Sequence, residues 1–455
     1  AIGCCMKLYG YAALLLSLAL VACREKTPIR SSDYMASLPD GEIKRKLIMG
    51  CTSCHQMGVP VALRNTREEW LGTINKMLKL DEDLKLHLIP LSKEALVDWL
   101  TEHGSGPLEK RNIKIYSDVP TAAADYEEFS LGNVKGFYHD MAISGGRAFV
   151  ADYFGNKLYG IDLKTRKTET YDIPVSSKPG KPGGAHAIDT TRDGKLWVTF
   201  TKSEQVMQFD TETNKFRIYN GFTRDGNVQY FVLDADRYIH EDKDRNFWVS
   251  HFSKEILTRV NRDSGATKVF QTTRTANMEE AAVHLYAAVA DSKGRLWYTE
   301  THGNHMGFLD PATGKTWEKP MALAWAGPKR LAIDKNDMLW IPELATGKIT
   351  LYDTVKETVA GQIELPIKGD YIYAVRRNPY NGDMWATGSG SDSLYRINSV
   401  TKAVKVYRLP RLGTFTRTVA FDKDGGVYTS YASLPNKHTQ MPHESAVILK
   451  VTPKD

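Results

Sequence analysis

The most specific chemistry in this chain sits in five consecutive residues, Cys51-Thr52-Ser53-Cys54-His55. Two thiols at this spacing reach both vinyl groups of one haem and form thioethers, and the histidine that follows lies beneath the porphyrin as an iron ligand. Two other chemistries use a Cys-x-x-Cys pair. A zinc site needs a second pair of ligands, and no cysteine follows Cys54. A thioredoxin-like site belongs in a βαβ unit, which the flanking sequence does not offer. The motif predicts one covalent haem c held by Cys51, Cys54 and His55.

Haem c is attached outside the cytoplasm, and the N-terminus agrees with export. Met6-Lys7 reads as the start, and Tyr11 to Ala22 is apolar apart from Ser17. That run is short for a membrane span. It ends Leu20-Val21-Ala22-Cys23, which resembles the bacterial lipobox and implies lipidation of the Cys23 sulfur. Cleavage nearby as an ordinary signal peptide, or an uncleaved anchor, are the alternatives. Residues 1–22 are thus a lipoprotein signal peptide and 23–38 a polar tether. The protein is expected in the periplasm, on the membrane through its lipid alone, and Arg24 in place of Asp favours the outer membrane. The five cysteines are all accounted for in this way, leaving none for a disulfide.

A chain of 455 residues is too long for one ordinary core. Its 42% hydrophobic and 25% charged residues are those of a folded soluble protein. A net charge of +6 with no basic run excludes nucleic acid as the expected partner.

Residues 39–106 read as a small all-α domain. Gly41 to Met49 is an amphipathic helix leading into the motif. Thr66 to Leu80 is a second, with Trp70, Ile74, Met77 and Leu78 at helical spacing and Thr66/Glu69 as a capping box. Ser92 to His103 is a third, capped by Ser92 and stopped by Gly104. Three helices around one Cys-x-x-Cys-His resemble the class I cytochrome c fold. Arg67, Trp70, Ile74 and Met77, followed by Leu96-Val97-Asp98-Trp99-Leu100, resemble the haem domains attached to periplasmic quinoprotein and amine dehydrogenases. That resemblance implies Met77 as the distal iron ligand, with His87 and His103 as rivals and an open site as a further alternative.

Residues 107–125 read as a linker, and from 126 to 455 the pattern changes to short β-strands. An aromatic-rich strand recurs seven times, among them Leu196-Trp197-Val198-Thr199-Phe200, Leu296-Trp297-Tyr298-Thr299-Glu300 and Leu339-Trp340-Ile341-Pro342-Glu343. The copies lie about 45 to 50 residues apart, the period of a four-stranded propeller blade. The fold class is therefore multidomain: a small all-α cytochrome c domain, then an all-β seven-bladed propeller. The last copy lacks an outer strand and Tyr126-Glu127-Glu128-Phe129 is a lone one, so the N-terminal segment should complete the seventh blade.

In such a ring the first strands line a channel. Their leading positions carry His139, His186, Arg237, His284 or Tyr286, Arg330, Tyr373 and Arg417; the ends of the aromatic strands carry His251, Glu300 and Glu343. Converging imidazoles, guanidinium groups and carboxylates suit a binding or acid–base site. The blade Leu296–Glu300 with Met306-Gly307-Phe308-Leu309-Asp310 resembles the repeats of virginiamycin B lyase and related streptogramin lyases. Those enzymes place a histidine in one blade and Glu-x-His in the next, beside Mg2+. His251 and Glu300-Thr301-His302 match, which implies these three as catalytic residues of a C–O elimination, with Mg2+ as a possible second cofactor.

Together these readings predict a monohaem electron-transfer protein with a periplasmic or membrane electron partner, whose propeller binds a small molecule or a redox partner. If the protein is an enzyme, a haem-linked oxidoreductase comes first and a lyase or hydrolase second; a non-catalytic binding propeller is the remaining alternative.

Overall fold

The computed structural model describes residues 29–52, 56, 66–84, 91–105, 119–132, 136–175, 183–191, 193–203, 205–220, 228–232, 246–252, 256–272, 284–431 and 447–454. Its strands form seven four-stranded antiparallel sheets, each made of consecutive strands except one. In that exception Ala124–Ser130 lies outside Val447–Pro453, in unbroken antiparallel register from Ala124↔Pro453 to Ser130↔Val447. The lone strand preceding the repeats thus completes the last blade, and every backbone donor and acceptor on that edge of Val447–Pro453 gains a neighbour.

The second strand of each blade is enclosed by the adjoining blades. Leu296, Trp297 and Tyr298 are all fully buried, so these strands read as continuous apolar runs and not as an alternation. The outer strands do alternate: Thr168–Asp172 is exposed at every second residue. A recurring pair fixes the turn before the aromatic strand. Trp297 Nε1 donates to Asp291 at 3.0 Å, Trp340 Nε1 to Asp334 at 3.1 Å and Trp197 Nε1 to Thr191 at 3.1 Å. In each case the acceptor lies six residues upstream. Blade six has Pro379 in that position, and there Trp385 Nε1 has no partner among the described residues.

Among the described residues four helices precede the propeller: α1 (Ser31–Ser37), α2 (Glu42–Cys51), α3 (Arg67–Leu84) and α4 (Lys93–His103). The capping expected from the sequence is present. Thr66 Oγ1 accepts from Glu69 N at 3.2 Å, Glu69 returns the bond to Thr66 N at 3.1 Å, and Ser92 Oγ accepts from Ala95 N at 3.2 Å. Trp70, Ile74, Leu96, Val97 and Leu100 are buried between α3 and α4. Helix α1 lies in the stretch read from sequence as a tether. Ser31, Ser32, Asp33 and Met35 are buried there because the helix is seated on the propeller.

These helices share one apolar cluster with the ring. It runs from Trp70 and Leu96 through Met49 to Ala326, Leu344, Tyr286 and Phe252. No described helix is long and apolar enough to cross a membrane.

Candidate functional site

Antiparallel blades put the turn between second and third strands, and the connection into the next blade, at the same end of the ring. His302 lies in such a turn, between Leu296–Glu300 and His305–Leu309, and His284 lies in such a connection, just before Leu285–Ala290. Their Nδ1 atoms are 2.6 Å apart, with the rings edge to face. One Nδ1 must donate and the other accept. The donor ring then keeps a basic lone pair on Nε2 and the acceptor ring an Nε2–H, so the pair presents one base and one acid. His284 holds a left-handed backbone, φ 56°, and its carbonyl accepts from Thr301 N at 3.0 Å.

Glu300 closes its strand beside this pair and is fully buried. His251, also fully buried, ends the equivalent strand of the preceding blade, with Nε2 2.9 Å from Thr258 Oγ1. Next to it, Phe252 stacks flat on His284 with centroids 3.9 Å apart. The structure therefore brings His284 and His302 into direct contact and links His251 to them through Phe252. Among the described residues no group of three or more His, Cys, Asp or Glu side chains is placed to hold a metal ion.

Deeper in the channel a second constellation spans the ring. Arg330 Nη1 lies 2.8 and 2.7 Å from the two oxygens of Asp140, both residues being buried. Asp140 Oδ1 is 3.1 Å from His139 Nδ1, His139 Nε2 is 3.2 Å from the Tyr373 hydroxyl, and Tyr373 bonds the Tyr286 hydroxyl. Burial, then the charges of Arg417, Arg330 and Lys329, holds His139 well below the ordinary imidazole value. It is therefore neutral. Because Asp140 only accepts, Nδ1 carries the proton and Nε2 takes the hydrogen bond from Tyr373. His186 lies against His139 with ring centroids 3.8 Å apart, and burial, followed by its nearness to His139 and the Arg330 charge, lowers it too. Burial and the neighbouring Tyr373 push Tyr286 far above the ordinary phenol range. Lys329 and Arg417 lie over the Tyr373 ring, at 4.1 and 5.3 Å from its centroid.

His139, His186, Arg330 and Arg417 thus meet as expected. Glu343 does not join them. It accepts from Thr346, Thr350 and Gln362 in and beside its own blade, at 2.6 to 3.0 Å, and serves that sheet. Asp140, Lys329 and Phe252 were missed; the signal available was only that each adjoins a residue that was chosen. Cys51 ends α2, Met77 is half-buried on α3, and His103 ends α4 against Trp99. Cys23, Cys54, His55, His87 and Arg237 lie outside the described residues.

No family model matches this chain, and no curated protein matches it. Solved structures do. A streptogramin B lyase superposes with a TM-score of 0.58 at 18% identity, over 72% of this chain and 98% of its own. Virginiamycin B lyase from Staphylococcus aureus gives 0.58 at 17%, over 72% and 99%. The WD40 repeats of RRP9 give 0.56 at 10%, over 73% and 99%. At these identities the likeness establishes a seven-bladed propeller resembling the lyases, a fold that also serves binding proteins.

Proposed function

We propose that this protein is an exported monohaem c-type electron-transfer protein whose propeller binds a small molecule or a redox partner at the end carrying the helices. One observation carries the reading. Helix α2, whose last residue is the first motif cysteine, is seated on the same end of the ring as His251, His284, Glu300 and His302. A separate electron carrier would gain nothing from that placement. By sequence, Cys51 and Cys54 would hold the group through thioethers, His55 would ligate the iron, and Met77, half-buried on α3, would supply a further ligand. Haem c, when bound, supplies one-electron exchange. The chain's own part is to hold a ligand at the ring's mouth, keep water out, and manage protons at the His284/His302 pair. Lipidation at Cys23 would hold the assembly at the periplasmic face of a membrane, by preference the outer one.

The test is an anaerobic visible spectrum of the oxidised holoprotein, titrated with pools of periplasmic metabolites. Reduction of the haem by one pool, lost in Glu300→Gln or His302→Ala, is the expected result. A haem reduced only by a chemical reductant or another protein would turn the propeller into a docking platform.

The imidazole pair supports a second reading, a lyase. A basic Nε2 on one ring of the pair, with the buried Glu300 two residues before His302, suits removal of a proton beside a carbonyl, with departure of an ester oxygen as carboxylate. Glu300→Gln should then abolish elimination and leave the haem spectrum intact; full turnover in that variant would sink the lyase.

A further inference from the structure

Blade one carries an aromatic rim at the loop end of the ring. Phe137 lies in the connection entering the blade, and Tyr153 and Phe154 lie in the turn between Arg147–Asp152 and Lys157–Asp162. The Phe137 ring centroid is 5.8 Å from that of Tyr153 and 6.3 Å from that of Phe154, and Tyr153 meets Phe154 edge to face at 5.0 Å. The backbone beneath these rings is fixed. Tyr153 N donates to Phe137 O at 2.9 Å, and Asp152 Oδ1 accepts from Phe137 N at 3.3 Å and from Phe154 N at 3.0 Å. A Cβ at Gly155 would run into the Asp152 carboxylate. Phe154 is nevertheless 51% exposed, and Lys202 of blade two reaches to 5.3 Å from the Tyr153 centroid. Rings held in place and open to water suit recognition of a flat apolar group.

Behind this rim the channel is positive. The Arg417 guanidinium lies 5.1 Å from the Phe137 centroid, and Lys329, Arg330 and Arg417 lie 4.1, 5.4 and 5.3 Å from the Tyr373 centroid. All three are at most 3% exposed. Asp140 is bonded to Arg330, yet the positive sign prevails: after burial, it is the charges of Arg417, Arg330 and Lys329 that hold His139 down. Asp152, the carboxylate at the rim, is turned to the Phe137 and Phe154 amides. Walls of low dielectric focus such a field on the mouth of a channel, and a guanidinium presents parallel N–H groups that match a carboxylate.

We infer that the mouth of the channel at blade one binds a small aromatic acid, its ring against Phe137, Tyr153 and Phe154 and its carboxylate turned inward to Arg417 and Lys329. This names a ligand class for the propeller and rests on the propeller being the ligand-binding part of the proposed function. The ring and the charge contribute separately: the rim selects the flat apolar end, and the buried cations select the acid over its neutral amide.

The experiment is isothermal titration of the full-length protein with benzoate, phenylacetate and 3-phenylpropionate, beside benzamide, which lacks the charge, and acetate, which lacks the ring. At least one aromatic acid should bind about tenfold or more tightly than either control. Arg417→Met should weaken that acid about tenfold, and Phe154→Ser about threefold to tenfold, as loss of one aromatic contact implies. Should Arg417→Met fail to fold, Phe154→Ser, at a half-exposed position, still decides. No saturable binding of the three acids, a control that binds as tightly as they do, or an affinity untouched by Phe154→Ser overturns the inference. The same samples separate it from the functional reading. Reduction of the haem by a metabolite pool, with none of the acids bound, keeps that reading and removes this one; acids bound as expected, with a haem that no pool reduces, do the reverse.

Discussion

Asp370 is a fully buried carboxylate with five donors: the Tyr371, Gly390 and Ser391 amides at 2.9 to 3.0 Å, and the Ser391 and Tyr395 hydroxyls at 2.6 and 2.5 Å. Burial outweighs them and raises its pKa to about 6. Between about pH 4 and pH 6 the folded protein therefore keeps a proton that the unfolded chain has released. Stability from this group is greatest at the acid end and falls by about 3 kcal/mol as pH rises through that window. Urea unfolding of native protein and Asp370→Asn across pH 4 to 6.5 checks this; identical slopes would refute it. His139 and His186 act in the opposite sense. Their lowered values mean that the unfolded chain takes up protons first, so their contribution is present above about pH 6.5 and lost as pH falls below it. The Arg330–Asp140 pair is a third case. Asp140→Ala leaves a buried guanidinium behind and should cost about 3–5 kcal/mol in the same assay. Residues of this kind were only half legible in the sequence. His139, Arg330 and His302 stand out by type, whereas Asp140 and Asp370 matter because of neighbours supplied from other blades or turns.

Among the elements, the aromatic strands were the plainest signal, because enclosure on both faces forces Trp, Tyr and Leu into runs. The three helices around residues 42–103 were legible for a different reason: their caps are local, and Thr66/Glu69 and Ser92 work within one turn. Helix α1 was not, since SSDYMAS is polar and is buried by docking, not by its own periodicity. The strand Ala124–Ser130 was legible through the missing outer strand of the last repeat. Phe129, 1% exposed, stands opposite Ile448 and packs among Leu131, Tyr138 and Met141, joining the last blade to the first. Phe129→Ala should cost about 3–5 kcal/mol of stability, read from the shift in urea midpoint at constant slope. A cost below about 1 kcal/mol would mean that ring closure does not lean on this strand.

For the whole molecule, seven blades could be counted in advance because a ring repeats its demands. How the helices sit on that ring could not, because a docked interface has no period. The sequence reads a haem domain, a linker and a propeller; the structure joins the described helices to the loop end of blades five and six through Met49, Gln56 and α1. Their seat is built from residues 324 to 414, which are translated long after Cys51, and the ring itself closes only when 447–453 can meet 124–130. Order of synthesis therefore separates two events that the folded molecule makes look simultaneous. While the chain emerges, α2 has no platform beneath it; once the last strand arrives, Met49 and Gln56 are seated on a closed ring. Docking of α1 and α2 therefore waits on the late blades, and the closed ring acts as the lock that fixes them.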